Sequence, residues 1–298
     1  MGVQFWWFYD VIAAAVILVS IFLAVRKGLM KAVVTMIGLV LAAVIAFSAS
    51  GPIADLIYGQ STKSSNIKKL ELSLENTDFV KDLGNYLETL GYDIRIDNDQ
   101  LQKAFKDEND PEKKIYKYVN NINSKKVDEE SIFINKLHEG YAVVISNYVA
   151  KRMNAYSAEY AAEDVRKHPE KAYELAELLE DQDTKRPAAQ YVSDNFLKKP
   201  YTTQTKLLAL ILIFAVGALI AIVIGVSAGR KSGPMGGLVE GVISGILGIA
   251  ISVIFIIFIA VMIRLYVVMG SDKMLFFNHE AIENTYVFKY FYEFISGL

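Results

Sequence analysis

Two long, nearly charge-free apolar blocks, roughly residues 1–50 and 207–268, bracket a stretch that reads like a soluble polar protein. A helix rises about 1.5 Å per residue, so about 20 apolar residues cross a hydrocarbon core of ~30 Å. Each block is long enough for two crossings. The expected spans are 5–25, 29–49, 207–226 and 237–263. One globular core would mix its apolar residues through the chain, so segregation of this kind predicts an all-α integral membrane protein. Its four transmembrane helices form two hairpins around a mainly helical, extracytoplasmic insert. The expected divisions are a first hairpin at 1–50, the insert at 51–206, a second hairpin at 207–264 and an aromatic amphipathic tail at 265–298.

The first apolar run has no basic leader, and a second run follows within a few residues. It is therefore expected to be retained as a span, since a signal peptide would carry a basic n-region. Short basic turns set orientation in a membrane. Arg26, Lys27 and Lys31 lie in the first turn, and Arg230 and Lys231 in the second. Both turns are expected on the cytoplasmic side of a plasma membrane, with N-terminus, insert and C-terminus outside. Arg264, near the end of the fourth span, can snorkel to the interface.

Hydrophobicity cannot draw helices together in lipid, whereas close backbone approach at small residues can. Each span carries small residues at a spacing of four: Ser20, Ala24 and Gly28; Gly38, Ala42 and Ala46; Gly217, Ala221, Gly225 and Gly229; and Gly237, Gly241 and Gly245, continued by Gly248 and Ser252. The fourth stripe is the densest. Gly237, Gly241, Gly245 and Gly248 are the candidates for helix packing, an oligomer interface or a pore lining. Two carboxylates fall within the spans. Glu240 starts the fourth and Asp10 the first. Each is open to two readings: helix-end stabilisation, or an ion or proton site, because intramembrane charges often mark a pathway.

Composition excludes much chemistry. The net charge of −2 and the mildly acidic insert argue against a nucleic-acid partner. With no cysteine there is no disulfide, thiolate metal site or cysteine nucleophile. The three histidines, His138, His168 and His279, lack metal-ligand spacing. Acidic clusters such as 107–110 and 128–130 lack the calcium-loop pattern and read as solvated faces or caps. No catalytic residue and no cofactor is expected, and the chain reads as a non-enzyme.

In the insert, helices are expected from a cap at Asn76 or Thr77 to Leu90, from Asp110-Pro111 to Asn123, as one long helix over 129–167, and over 170–180 and 187–197. The alternation at 92–96 suggests a short strand. In the tail, Ile282, Tyr286, Lys289 and Glu293 follow helical spacing among many aromatic residues. That leaves two placements: a helix in the outer membrane interface, or packing beneath the insert.

Both hairpins resemble the colicin V production protein (CvpA) family of small bacterial inner-membrane proteins. The resemblance rests on Asp10 at the start of the first span, the turn Arg26-Lys27-Gly28-Leu29, and Ile37-Gly38-Leu39 running to Ala46. In the second half it rests on Gly233-Pro234, Gly236-Gly237-Leu238-Val239-Glu240-Gly241 and Gly245-Ile246-Leu247-Gly248, with the ending 283–292. It covers the hairpins and tail, under half of the chain. Glu240 within the glycine run and the long insert depart from the family pattern. The resemblance implies a non-catalytic role in colicin V (toxin) production or export and in envelope homeostasis. It carries over no catalytic residue. The rival class is an oligomeric channel or small-solute transporter built on the fourth span. Expected partners are membrane lipid, with a homo-oligomer and an envelope protein docking on the insert as further options.

Overall fold

A computed structural model describes residues 5–107, 109–123, 126–180, 184–228, 237–271 and 279–296. Among the described residues every regular element is helical. Four helical runs are long and apolar enough to cross a membrane: Trp7–Lys27, Leu29–Leu74, Arg186–Ala228 and Leu238–Met269. The chain divides into two compact units, Met1–Tyr58 with Thr202–Leu298, and Gly59–Tyr201.

In chain order, α1 is Trp7–Lys27 and α2 is Leu29–Ile57. Gly28 joins them at φ 84°. A side chain there would be strained, and the glycine lets α1 stop and α2 start at once. The expected second span ended at 49, but α2 runs eight residues further, because Gly51 and Pro52 follow without breaking the helix. Proline is tolerated within a membrane helix where neighbouring groups satisfy the freed carbonyl.

The second unit begins within a π-helical turn at Tyr58–Thr62 and contains α3 (Lys63–Leu74), α4 (Phe79–Glu88), α5 (Asn98–Phe105), α6 (Pro111–Asn123), α7 (Glu130–Ala150), α8 (Ala155–Lys167), α9 (Glu170–Leu179) and α10 (Arg186–Val192). Side-chain caps set four of the eight starts, those of α4, α5, α6 and α8. Asp78 accepts from the Lys81 amide at 3.0 Å, and Asp110 from that of Lys113 at 3.1 Å. The long helix expected over 129–167 is two helices. Asn154, in extended conformation, accepts from the Ser157 amide at 2.9 Å and restarts the chain as α8, which packs back against α7. Unbroken, that helix would reach about 57 Å and leave its apolar side open. The expected strand at 92–96 is absent among the described residues: Asp93 turns the backbone at φ 55°, and the Ile96 amide donates to the Glu88 carboxylate at 2.7 Å. The core is one continuous cluster that includes Leu70, Leu83, Leu87, Leu101, Ile115, Phe133, Leu137, Ile145, Leu175 and Phe196. A further π-helical turn, Ser193–Leu197, leads into α11 (Lys198–Ala228).

In the first unit, α11 is followed by α12 (Leu238–Tyr266), a π-helical turn at Val267–Ser271, α13 (His279–Glu283) and α14 (Phe288–Ser296). The helix expected through Ile282, Tyr286 and Glu293 is therefore interrupted between α13 and α14. Arg230, Lys231, Gly229 and the segment 233–236 lie outside the described residues, as do Phe276 and Phe277. Helix α12 is the hub, packing on α1, α2 and α14. Against α11 it stacks Phe258 on Phe214 with centroids 3.3 Å apart. Helices α2 and α11 interlock through small residues in antiparallel register. A Cβ on Gly38 would lie 2.6 Å from that of Ala221, and one on Gly217 would lie 2.7 Å from that of Ala42. One turn on, Gly225 faces Thr35. Two of the four stripes thus meet each other residue for residue.

Candidate functional site

The two span carboxylates are the natural candidates for an ion site, and each is bound to the end of a distant helix. Asp10 occupies the first turn of α1. Its Oδ2 accepts from the Tyr286 amide at 2.8 Å, and its Oδ1 accepts from the amides of Val287 and Phe288 at 3.0 Å each. The first N–H groups of a helix lack intrahelical acceptors. A carboxylate there gains charge-assisted hydrogen bonds and a favourable dipole. Asp10 is thus the N-terminal anchor of α14, supplied from 278 positions earlier in the chain. Aromatic contacts reinforce the joint. Tyr9 stacks on Phe288 with centroids 5.3 Å apart, and Trp6 meets Tyr286 edge-on at 5.1 Å. The Arg264 guanidinium stands 5.9 Å from the Tyr292 ring.

Glu240 does related work at the opposite end of the bundle. Its Oε1 accepts from the amide of Leu29, the first residue of α2, at 3.2 Å. Its own place in the first turn of α12 also suits a negative charge. One carboxylate therefore serves two helix starts.

The four glycines of the fourth stripe divide. Among the described residues, nothing lies within 4 Å of a Cβ added at Gly237 or Gly241. At Gly245 the contacts are ordinary, 3.9 Å to Ile21 and Val25. Only Gly248 is in close backbone approach, where a Cβ would meet Ile21 Cα at 2.7 Å and the Ser20 carbonyl oxygen at 2.9 Å.

Two hollows of about 400 Å³ open on the spans. One is lined by Phe214, Ala218, Ile222, Phe255 and Met262, the other by Val40, Val44, Phe47 and Ile254. Neither has an ionisable side chain in its lining.

In the second unit, the polar clusters tie neighbouring segments together. His138 Nε2 meets Glu112 Oε1 at 2.7 Å, linking α7 to α6. The Tyr148 hydroxyl donates to Asp82 at 2.6 Å, linking α7 to α4. Burial first, then the hydrogen bond to Asp82 and its charge, pushes the Tyr148 hydroxyl far above the ordinary phenol range. Lys136 donates to Asp128 at 2.8 Å, and Tyr92 donates to the same carboxylate. Both bonds hold the Asp128 carboxyl below its ordinary range. In the acidic run 107–110, Asp110 caps α6 by accepting from the Lys113 amide, and Asp107 accepts from the Asn109 amide in a local turn. Glu108 lies outside the described residues. Among the described residues no group of three or more His, Asp or Glu side chains could hold a metal ion.

What sequence reasoning missed is the partner of each carboxylate. Asp10 and α14 stand at opposite ends of the chain, so no local spacing links them. The available signal was that α14 has no acidic residue in its own first turn. Comparison with protein-family models, with curated proteins and with solved structures finds no match to this chain.

Proposed function

We propose that this chain is a non-catalytic, multi-pass protein of the bacterial plasma membrane that assists toxin export and envelope homeostasis, as the resembled colicin V production family does. The observation that supports a scaffold is the engagement of Asp10 and Glu240. Both span carboxylates accept amide hydrogen bonds at the start of a distant helix, which gives each a structural role. In this reading the spans form two hairpins with their basic turns in the cytoplasm. The unit at 59–201 then faces outward and offers its surface to an envelope partner.

The open space beside Gly237 and Gly241 favours the alternative, an oligomeric channel or small-solute transporter. Flux separates the two. Purified wild-type protein in liposomes should pass no more ion or solute than empty vesicles. Glu240→Gln, which keeps an oxygen for the Leu29 amide, should fold and assemble like the wild type, losing only about 0.3–1 kcal/mol of dipole stabilisation. A wild-type current abolished in the glutamine variant would replace the scaffold with the channel.

Orientation is read with single introduced cysteines in this cysteine-free chain. Ser157 is fully buried and would not report, whereas Ser65 is exposed on α3. Ser65→Cys should react with an impermeant maleimide in cells stripped of their outer barrier, and Ser232→Cys should be protected. The reverse pattern would invert the topology.

A further inference from the structure

We propose that α14 lies in the plane of one membrane interface, as an aromatic collar whose outward side inserts among lipid headgroups and upper acyl chains. This rests on reading the four apolar helices as membrane spans.

The depth of α14 is determined by what holds it. Asp10 binds its first amides, and Asp10 lies in the first turn of a span. Tyr9 stacks on its first residue. Arg264 in the last turn of α12 stands over its Tyr292. Every one of these contacts is to a span end, which is where a bilayer passes from hydrocarbon to headgroup.

The side chains of α14 then fall into three arcs at 3.6 residues per turn. Phe288, Tyr292 and Ile295 are buried and form the docking arc. Tyr290 and Phe294, 64% and 60% exposed, form a second arc with the half-buried Phe291 between them and the bundle. Lys289, Glu293 and Ser296 form the third. A helix at a water–protein boundary needs only two arcs, apolar inward and polar outward. A third, aromatic arc is what a helix needs when one side meets protein, one meets lipid and one meets water. Exposed Trp7 at the start of α1, and Tyr286 and Val287 just before α14, extend the same apolar rim. Tyrosine and tryptophan suit this level because their rings are apolar and their polar atoms stay wet.

The neighbours Glu293 and Phe294 make the test sharp, because the proposal sends them into different media. Glu293→Cys, Phe294→Cys and, as a control, Val223→Cys on the exposed face of α11 would each carry a nitroxide in phospholipid nanodiscs. Collision with dissolved oxygen reports lipid, and collision with a neutral nickel chelate reports water. The oxygen-to-nickel ratio should be high at 223, and several-fold higher at 294 than at 293. Equal ratios at 293 and 294, or shielding of 294 from both reagents by protein, with 223 still in lipid, would overturn the collar and leave the spans standing. A water-like ratio at 223 would remove the membrane reading and the collar with it.

Discussion

Gly248→Leu should separate α1 from α12 and strongly destabilise the span bundle. A Cβ at this position would press on the Ile21 Cα at 2.7 Å and the Ser20 carbonyl oxygen at 2.9 Å. Both are backbone atoms, so no side-chain rotation relieves the clash, and the helices must move apart. Overpacking costs about 1–3 kcal/mol where side chains can yield, and here the effect should reach or exceed that range. Lipid supplies no compensating hydrophobic drive, so the separated helices lose their contact energy outright. The comparison variant is Gly241→Leu, where nothing among the described residues stands within 4 Å. It should leave stability within about 0.5 kcal/mol of the wild type, the ordinary range for open sites. Denaturation followed by circular dichroism in mixed micelles measures both. Equal midpoints for the two variants would show that α1 and α12 do not meet at Gly248.

Asp10→Ala should release α14 from the bundle while leaving the spans folded. The substitution strips three amides of their shared acceptor at the start of the helix. Hydrogen bonds to a charged group contribute about 1.5–3 kcal/mol each when buried, and this joint is only partly so, which suggests about 2–4 kcal/mol for the set. A nine-residue helix is too short to hold its shape alone, so loss of the anchor should melt it. Amide exchange across 286–296 should accelerate on the order of 10²-fold, with little change in α12. Asp10→Asn, which keeps one oxygen acceptor, should fall between. Unchanged protection in Asp10→Ala would mean that Tyr9, Trp6 and Arg264 hold the tail without the carboxylate.

The contrast between Gly241 and Gly248 shows how far sequence reasoning reaches in a membrane protein. The stripe Gly237, Gly241, Gly245 and Gly248 is legible as a run of small residues. Which of them touches a neighbour depends on the rotation of α12 about its axis and on where α1 crosses it. The stripes on α2 and α11 were equally visible one at a time. That Gly38 meets Ala221 and Gly217 meets Ala42 is a matter of register between two helices far apart in the chain, Leu29–Ile57 and Lys198–Ala228. Local signals fared differently in the second unit. The Asp110-Pro111 start is a short-range cap with a short-range reading, and α6 begins at Pro111. The break at 151–154 escaped notice because helical periodicity continues on either side of Asn154.

Length and hydropathy by themselves determined that four helices can span a membrane, because the bilayer requires about 20 apolar residues and internally satisfied backbone whatever the fold. Side-chain chemistry by itself also marked Asp10 and Glu240 as costly charges needing a partner. Only the tertiary structure decided who those partners are. A helix start exposes its amides to whatever comes near, and nothing in the local sequence of α2 or α14 names a carboxylate from α12 or α1. Helical pattern is written within a few residues, while caps supplied in trans and backbone contacts between helices arise only when distant segments are brought together.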